Sequence, residues 1–358
     1  MRTFGWLLGR VLLVLAVLVV GLLFWPMPGV GPVPRFDTAR LPAEPAELDR
    51  WLAEREVVIG DITEGAEKRI LWAGEPGART DLTLVYLHGF SATSQEIAPV
   101  PERVAAELGA NLYLARLAGH GRDGAALAGV SPEDWLYDLA EALAIAARLG
   151  ERTVLVGTST GAALAMAGLG DPALAADLPG RGQVAGLVLI SPNYRLHGPA
   201  ARLLDLPLVE HWGEWIAGDT VHIPAVSEDH ARFWTLDYPS RAVLSMVRLA
   251  RHLRGLDPAG MVLPALFLHT ETDRVIEPGL VRRGAEGWGG PAERVVLVPG
   301  EGDDAWHHIP GGDILSPGLT ETLSGHMLRW LRGRSAATEG KRPPVRVLCR
   351  LPGGACAP

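Results

Sequence analysis

Ser159 sits in Gly157-Thr158-Ser159-Thr160-Gly161, between an apolar run (residues 153–156) that reads as a strand and an alanine-rich run (residues 162–167) that reads as a helix. A glycine-flanked serine at so sharp a strand-to-helix turn is a nucleophile elbow, with its hydroxyl held clear of the sheet on a strained backbone. A serine hydroxyl attacks an acyl carbon only when a base takes its proton and a carboxylate orients that base. Both residue types occur downstream. Glu271 and Asp273 follow the apolar run 263–268, and His307 and His308 follow the run 294–298. Asp303, Asp304, His307 and His308 are also metal-ligating types. No second cluster has helical or zinc-ribbon spacing, so neither a metal nor a cofactor is expected. No glycine pattern follows a strand as a dinucleotide or phosphate loop requires.

The elements that must position these groups alternate along the chain. Residues 82–87 read as a buried strand that ends in His88-Gly89-Phe90-Ser91, and residues 111–115 and 184–190 read as further strands. Ser131-Pro132-Glu133-Asp134 is a helix start, with a capping serine, proline in the first turn and acids facing the helix dipole. Residues 45–56 have helical character, residues 57–59 and 69–72 read as antiparallel strands, and residues 319–331 as an amphipathic helix. Strands alternating with helices over 358 residues argue for the α/β class with a mostly parallel sheet. From residue 194 to 257 the alternation stops, and helix-like pieces carry Trp212, Trp215, Phe233, Trp234 and Tyr238.

The elbow, the His88-Gly89-Phe90 loop and the order Ser, acid, His together resemble the serine hydrolases of the α/β-hydrolase family, in its carboxylesterase and monoacylglycerol-lipase-like branch. The resemblance covers roughly residues 57–332. It implies a mostly parallel sheet flanked by helices, with a helical cap inserted after the sixth strand. It also implies Ser159 as nucleophile and Asp273 as the acid ahead of Val275-Ile276, with Glu271 the alternative. His308, followed by Ile309 and by Asp313 five positions on, is the implied base, with His307 the alternative. The N–H groups of Phe90 and Thr160 are the implied oxyanion donors, and His88 and His120 are structural. The implied activity is a carboxylic-ester hydrolase working through an acyl-enzyme on acylglycerol-like or other small acyl esters. The same triad could serve a thioesterase, a peptidase or an acyltransferase, and an idle triad would leave a non-catalytic scaffold. Trp212, Trp215 and Trp234 are candidate pocket residues, the other reading being a small core internal to the cap. The expected organisation is an anchor and proline-rich spacer (1–35), a first core segment (36–193), the cap (194–260), a second core segment (261–333) and a disordered tail (334–358).

Acidic residues outnumber basic ones by 41 to 33, and no long basic run occurs, so nucleic acid is not an expected partner. Residues 6–25 form an apolar run of about 20 residues, the length of a membrane span, with Arg10 near one end. The expectation from this run is a signal anchor that tethers an extracytoplasmic (periplasmic) domain to the membrane, lipid-derived esters being the substrates such a tether points to. A removed signal peptide is the alternative. Cys349 and Cys356, both in the tail, could pair in an oxidising compartment.

Overall fold

Apolar runs without polar alternation become the interior strands of a sheet covered on both faces. The computed structural model describes residues 2–23, 29–335 and 347–349. Its strands are β1 (Arg69–Leu71), β2 (Thr80–Leu87), β3 (Asn111–Leu114), β4 (Gly150–Thr158), β5 (Val184–Ile190), β6 (Thr220–His222), β7 (Asp237–Pro239), β8 (Ala265–His269), β9 (Ala292–Val296) and β10 (Val347–Cys349). Eight of them form one sheet in the order β1-β3-β2-β4-β5-β8-β9-β10, while β6 and β7 make a separate antiparallel ribbon. Within the large sheet only the β1–β3 pair is antiparallel.

Alternate residues of the central strands feed two cores. Val85, Leu87, Leu155, Leu187 and Leu189 pack with the helices Pro132–Leu149 and Thr160–Gly170. Leu84, Tyr86, Val154, Val156, Val188 and Ile190 pack on the opposite face with Val100 and Val104 of the helix Val100–Leu108, and with Leu323 and Met327 of the helix Thr320–Ser335. The helix at Pro132 starts with a full capping box between Ser131 and Asp134. Between β5 and β8 lie the helices Val209–Ala217, Glu228–Phe233 and Val243–Arg254, with the β6–β7 ribbon among them. The last of these helices packs on Thr160–Gly170 and gives Met246, Leu249 and Leu253 to the main core.

Two expectations are corrected. Residues 57–59 are the last turn of the helix Leu48–Ile59, not a strand; the helix runs on to Gly60, whose φ of 68° ends it. Among the described residues no helix is long and apolar enough to cross a membrane. The transmembrane anchor, the membrane attachment and the extracytoplasmic placement built on it are therefore withdrawn. The N-terminal helix Arg2–Leu23 carries Arg2 and Arg10, the latter with its guanidinium 3.6 Å above the Trp6 ring. The uncharged stretch after Arg10 is about 20 Å of helix, against about 30 Å of hydrocarbon. The described part of the spacer is bonded to the domain. Gly31 N–H donates to Glu133, Arg248 donates to the Gly29 carbonyl, and Arg35 pairs with Asp177 at 2.6 Å. The rest of the spacer (24–28), most of the expected disordered tail (336–346 and 350–358) and the side chains of Cys349 and Cys356 lie outside the described residues.

Candidate active site

The turn after β4 can be built only with glycines at its flanks. A Cβ on Gly157 would come within 2.6 Å of the Ala162 backbone, and one on Gly161 within 2.0 Å of the Leu87 carbonyl oxygen. Between them Ser159 is held at φ 51°, ψ −111°, a left-handed conformation costly for a residue with a side chain. Its own N–H donates to the Ile190 carbonyl at 2.8 Å, and its carbonyl accepts from Ala163 and Asn193. The hydroxyl therefore stands at the carboxyl end of the sheet, at the head of the helix Thr160–Gly170.

The loops after β8 and β9 converge on that hydroxyl. His308 Nε2 lies 3.0 Å from Ser159 Oγ, and His308 Nδ1 lies 2.8 Å from Asp273 Oδ2. A carboxylate can only accept, so Nδ1 carries the proton and Nε2 is left to receive the serine hydrogen. Asp273 is oriented in turn by the N–H groups of Val275 and Ile276, which donate to Oδ1. All three residues are buried. Burial works against a charged His308, but the charge and hydrogen bond of Asp273, helped by Asp304 and Glu96, outweigh it and raise its pKa above the ordinary 6.5.

The alternatives named from the sequence are placed elsewhere. Glu271 pairs with Arg282 and Arg294, and the His307 Nδ1 faces the Thr272 hydroxyl at 2.7 Å. Asp304 serves its own loop, accepting from the N–H groups of Trp306, His308 and Ile309. The His308 carbonyl accepts from the Ser191 hydroxyl, a tie from the end of β5. Asp313 holds the next turn, donating its N–H to the Ala98 carbonyl and accepting from the Thr320 hydroxyl.

The Phe90 and Thr160 N–H groups donate to no acceptor among the described residues. Thr160 opens a helix, where the first N–H groups have no intrahelical partner. Beneath the loop, His88 Nε2 accepts from Leu117 N–H, and burial holds the imidazole well below its usual pKa. His120 is also buried, its Nδ1 donating to the Ala118 carbonyl, and burial lowers its pKa to about 4. The Phe90 ring packs edge-on against His120, Trp135 and Tyr238.

The three candidate tryptophans are not gathered at one place. Trp215 is 89% exposed, and the Trp212 indole donates to the Pro207 carbonyl. Trp234 packs against His230 and precedes Thr235, whose N–H donates to the Ser91 carbonyl at 2.7 Å. That bond brings the segment after Glu228–Phe233 onto the Phe90 loop. An open cavity of about 560 Å³, bordered by the helix Leu48–Ile59 and residues 67–69, contains none of the triad residues. Glu96 and Ser191 carry no sequence motif, and each became visible only through the groups it holds.

The family described as serine aminopeptidase, S33, matches residues 78–310 of the chain. No curated protein matches it in sequence. Among solved structures, a chain from work on LipS and LipT, two metagenome-derived lipolytic enzymes, is 19% identical with a TM-score of 0.60, covering 76% of this chain and 99% of its own. A monoglyceride lipase of Saccharomyces cerevisiae is 14% identical with a TM-score of 0.55, covering 75% of this chain and 92% of its own. The monoacylglycerol lipase of Paleococcus ferrophilus is 16% identical with a TM-score of 0.53, covering 74% of this chain and 98% of its own. At these identities the likeness is one of fold.

Proposed function

We propose, from the premise that this chain belongs to the serine aminopeptidase S33 family of α/β-hydrolases, that it is a serine hydrolase of carboxylic esters. The observation that carries this reading is the buried line of hydrogen bonds from Ser159 through His308 to Asp273. His308 Nε2 takes the Ser159 proton as Oγ bonds to the acyl carbon, and the electron pair of the carbonyl moves onto oxygen. The N–H groups of Phe90 and Thr160 receive that oxyanion; a preorganised donor of this kind is typically worth about 3 to 4 kcal/mol in the transition state. The imidazolium, steadied by Asp273, then protonates the leaving alcohol as the C–O bond breaks. Water, deprotonated by the same histidine, attacks the acyl carbon, and the imidazolium returns that proton to Ser159 Oγ as the acyl–Oγ bond breaks and the acid leaves.

Acylglycerol-like or other small acyl esters are the substrate class we favour, with residues 194–260 as the cap. Of the three tryptophans, Trp234, beside the Thr235–Ser91 bond, is the one we assign to substrate binding. The family description favours one second reading, an aminopeptidase with the same triad. Hydrolysis of p-nitrophenyl esters from acetate to palmitate, run beside amino-acyl p-nitroanilides and with Ser159→Ala as the control, separates the two. We expect ester turnover that falls by about 10⁴-fold or more in Ser159→Ala. Anilide turnover without ester turnover would move the assignment to a peptidase, and ester turnover unaffected by the substitution would remove the triad reading.

A further inference from the structure

One buried carboxyl close to the triad has no part in the mechanism above. Glu96 lies in the short turn Ser94–Ile97 after the Phe90 loop and is 1% exposed. Its Oε1 accepts from the Gly89 N–H at 2.5 Å and from the Tyr86 hydroxyl at 2.6 Å. The Tyr86 oxygen also stands 3.1 Å from the Thr158 hydroxyl. Gly89 immediately precedes Phe90, and Thr158 immediately precedes Ser159 and Thr160. A Cβ on Gly89 would fall 2.9 Å from Glu96 Oε2 and 3.4 Å from Ser159 Cβ, so that glycine is what lets carboxyl and nucleophile approach from one side.

We propose that Glu96 is a positioning residue for the reaction: its carboxyl ties the loop bearing the Phe90 donor to the strand end bearing Ser159 and Thr160, and sets the charge beside His308. The inference rests on the serine-hydrolase reading above. Without an acceptor for Gly89 N–H the peptide ahead of Phe90 keeps the His88 bond to its carbonyl side and the Thr235 bond at Ser91, but loses the one that fixes its N–H side, and the Phe90 N–H is less well aimed. A hydrogen-bond donor stabilises an oxyanion only when it is already aimed at it.

The charge matters separately from the geometry. Burial pushes Glu96 up to about 7, opposed by the donors Tyr86 and Gly89 and by the positive form of His308. The titratable groups around it are Tyr86 on β2, itself influenced by Glu102 of the neighbouring helix, and His308, with Asp273 and Asp304 acting on that imidazole. An ionised Glu96 favours the imidazolium and so raises the His308 pKa. Its removal must move the acid limb of activity to lower pH.

The test uses the full chain and p-nitrophenyl acetate, with kcat and KM followed from about pH 5 to about pH 9 for wild type, Glu96→Gln, Glu96→Ala and Ser159→Ala. Gln keeps the Oε1 acceptor and loses the charge. We expect Glu96→Gln to hold kcat within about threefold of wild type on the alkaline plateau and to shift the acid limb measurably to lower pH. Glu96→Ala should lose about 10- to 100-fold in kcat with KM changed by about twofold or less. An unmoved limb in Glu96→Gln, or wild-type kcat in Glu96→Ala, overturns the inference; if the Ala variant does not fold, the Gln limb decides. An active wild type with indistinguishable Glu96 variants removes this inference alone. A wild type no faster than Ser159→Ala removes the serine-hydrolase reading first, and this inference with it.

Discussion

His308 is under opposed demands. Burial disfavours its positive form, yet Asp273 raises its pKa above the ordinary value. Only neutral Nε2 can accept the serine proton, so we expect activity to rise with pH through that raised pKa. Asp273→Asn removes the charge, so the acid limb should move to lower pH while kcat falls by about 10⁴-fold, because the ring loses its required tautomer. A pH–rate profile of the two proteins checks both parts, and a limb that stays in place would mean Asp273 does not control the imidazole. The linkage to stability has the opposite sense to the activity. A histidine whose folded pKa exceeds its unfolded one contributes stability that is fully present below the unfolded pKa and is lost as pH rises through the folded value. Under the proposed mechanism the charge state that would take the proton is thus the less stabilised one.

At the level of elements, the elbow depends on how close β2, β4 and the helix Thr160–Gly170 can come. The clash a Cβ on Gly161 would make is with backbone oxygen of β2, which cannot move without disturbing the sheet. Gly161→Ala should therefore destabilise by roughly 3 kcal/mol or more. Gly325, in the helix Thr320–Ser335, has nothing within 4 Å of its would-be Cβ, so Gly325→Ala should stabilise by about 0.5–1 kcal/mol. Thermal melts of the pair test the argument, and equal effects would mean that the close approach at Gly161 is not what the fold requires. The helix Val243–Arg254 shows a related dependence on neighbours. It lies within the expected cap segment, but its apolar side is part of the main core beside the elbow helix.

Across the whole molecule, the segment from Gly29 onward belongs to the domain. Val30 and Val33 pack on the main core, Phe36 is buried in it, and Arg35 and Gly31 bond to distant helical and loop residues. A chain starting at Gly29 should keep the melting temperature and ester turnover of the full chain, while one starting at Phe36 should melt several degrees lower, a loss of about 1 kcal/mol or more. Identical melts would mean that this segment contributes nothing to the domain.

The local signals in the sequence were strong where chemistry and backbone geometry coincide. A glycine-flanked serine between a strand and a helix is legible because few residues tolerate that turn. The apolar runs of β2, β4, β5 and β8 are legible because strands buried on both faces show no polar alternation. No local pattern shows that Ser159, His308 and Asp273 are joined by two hydrogen bonds across 149 and 35 residues of chain. Tertiary structure alone decided the rest. A buried carboxylate such as Glu96 looks in sequence like any surface acid; its importance comes from the N–H and O–H groups that folding brings to it. The apolar N-terminal run reads as a span by composition, but Arg10 interrupts the helix. Residues 57–59 have strand-forming side chains, yet they complete a helix that ends only at Gly60, because the chain around them, and not their own preference, fixes their conformation.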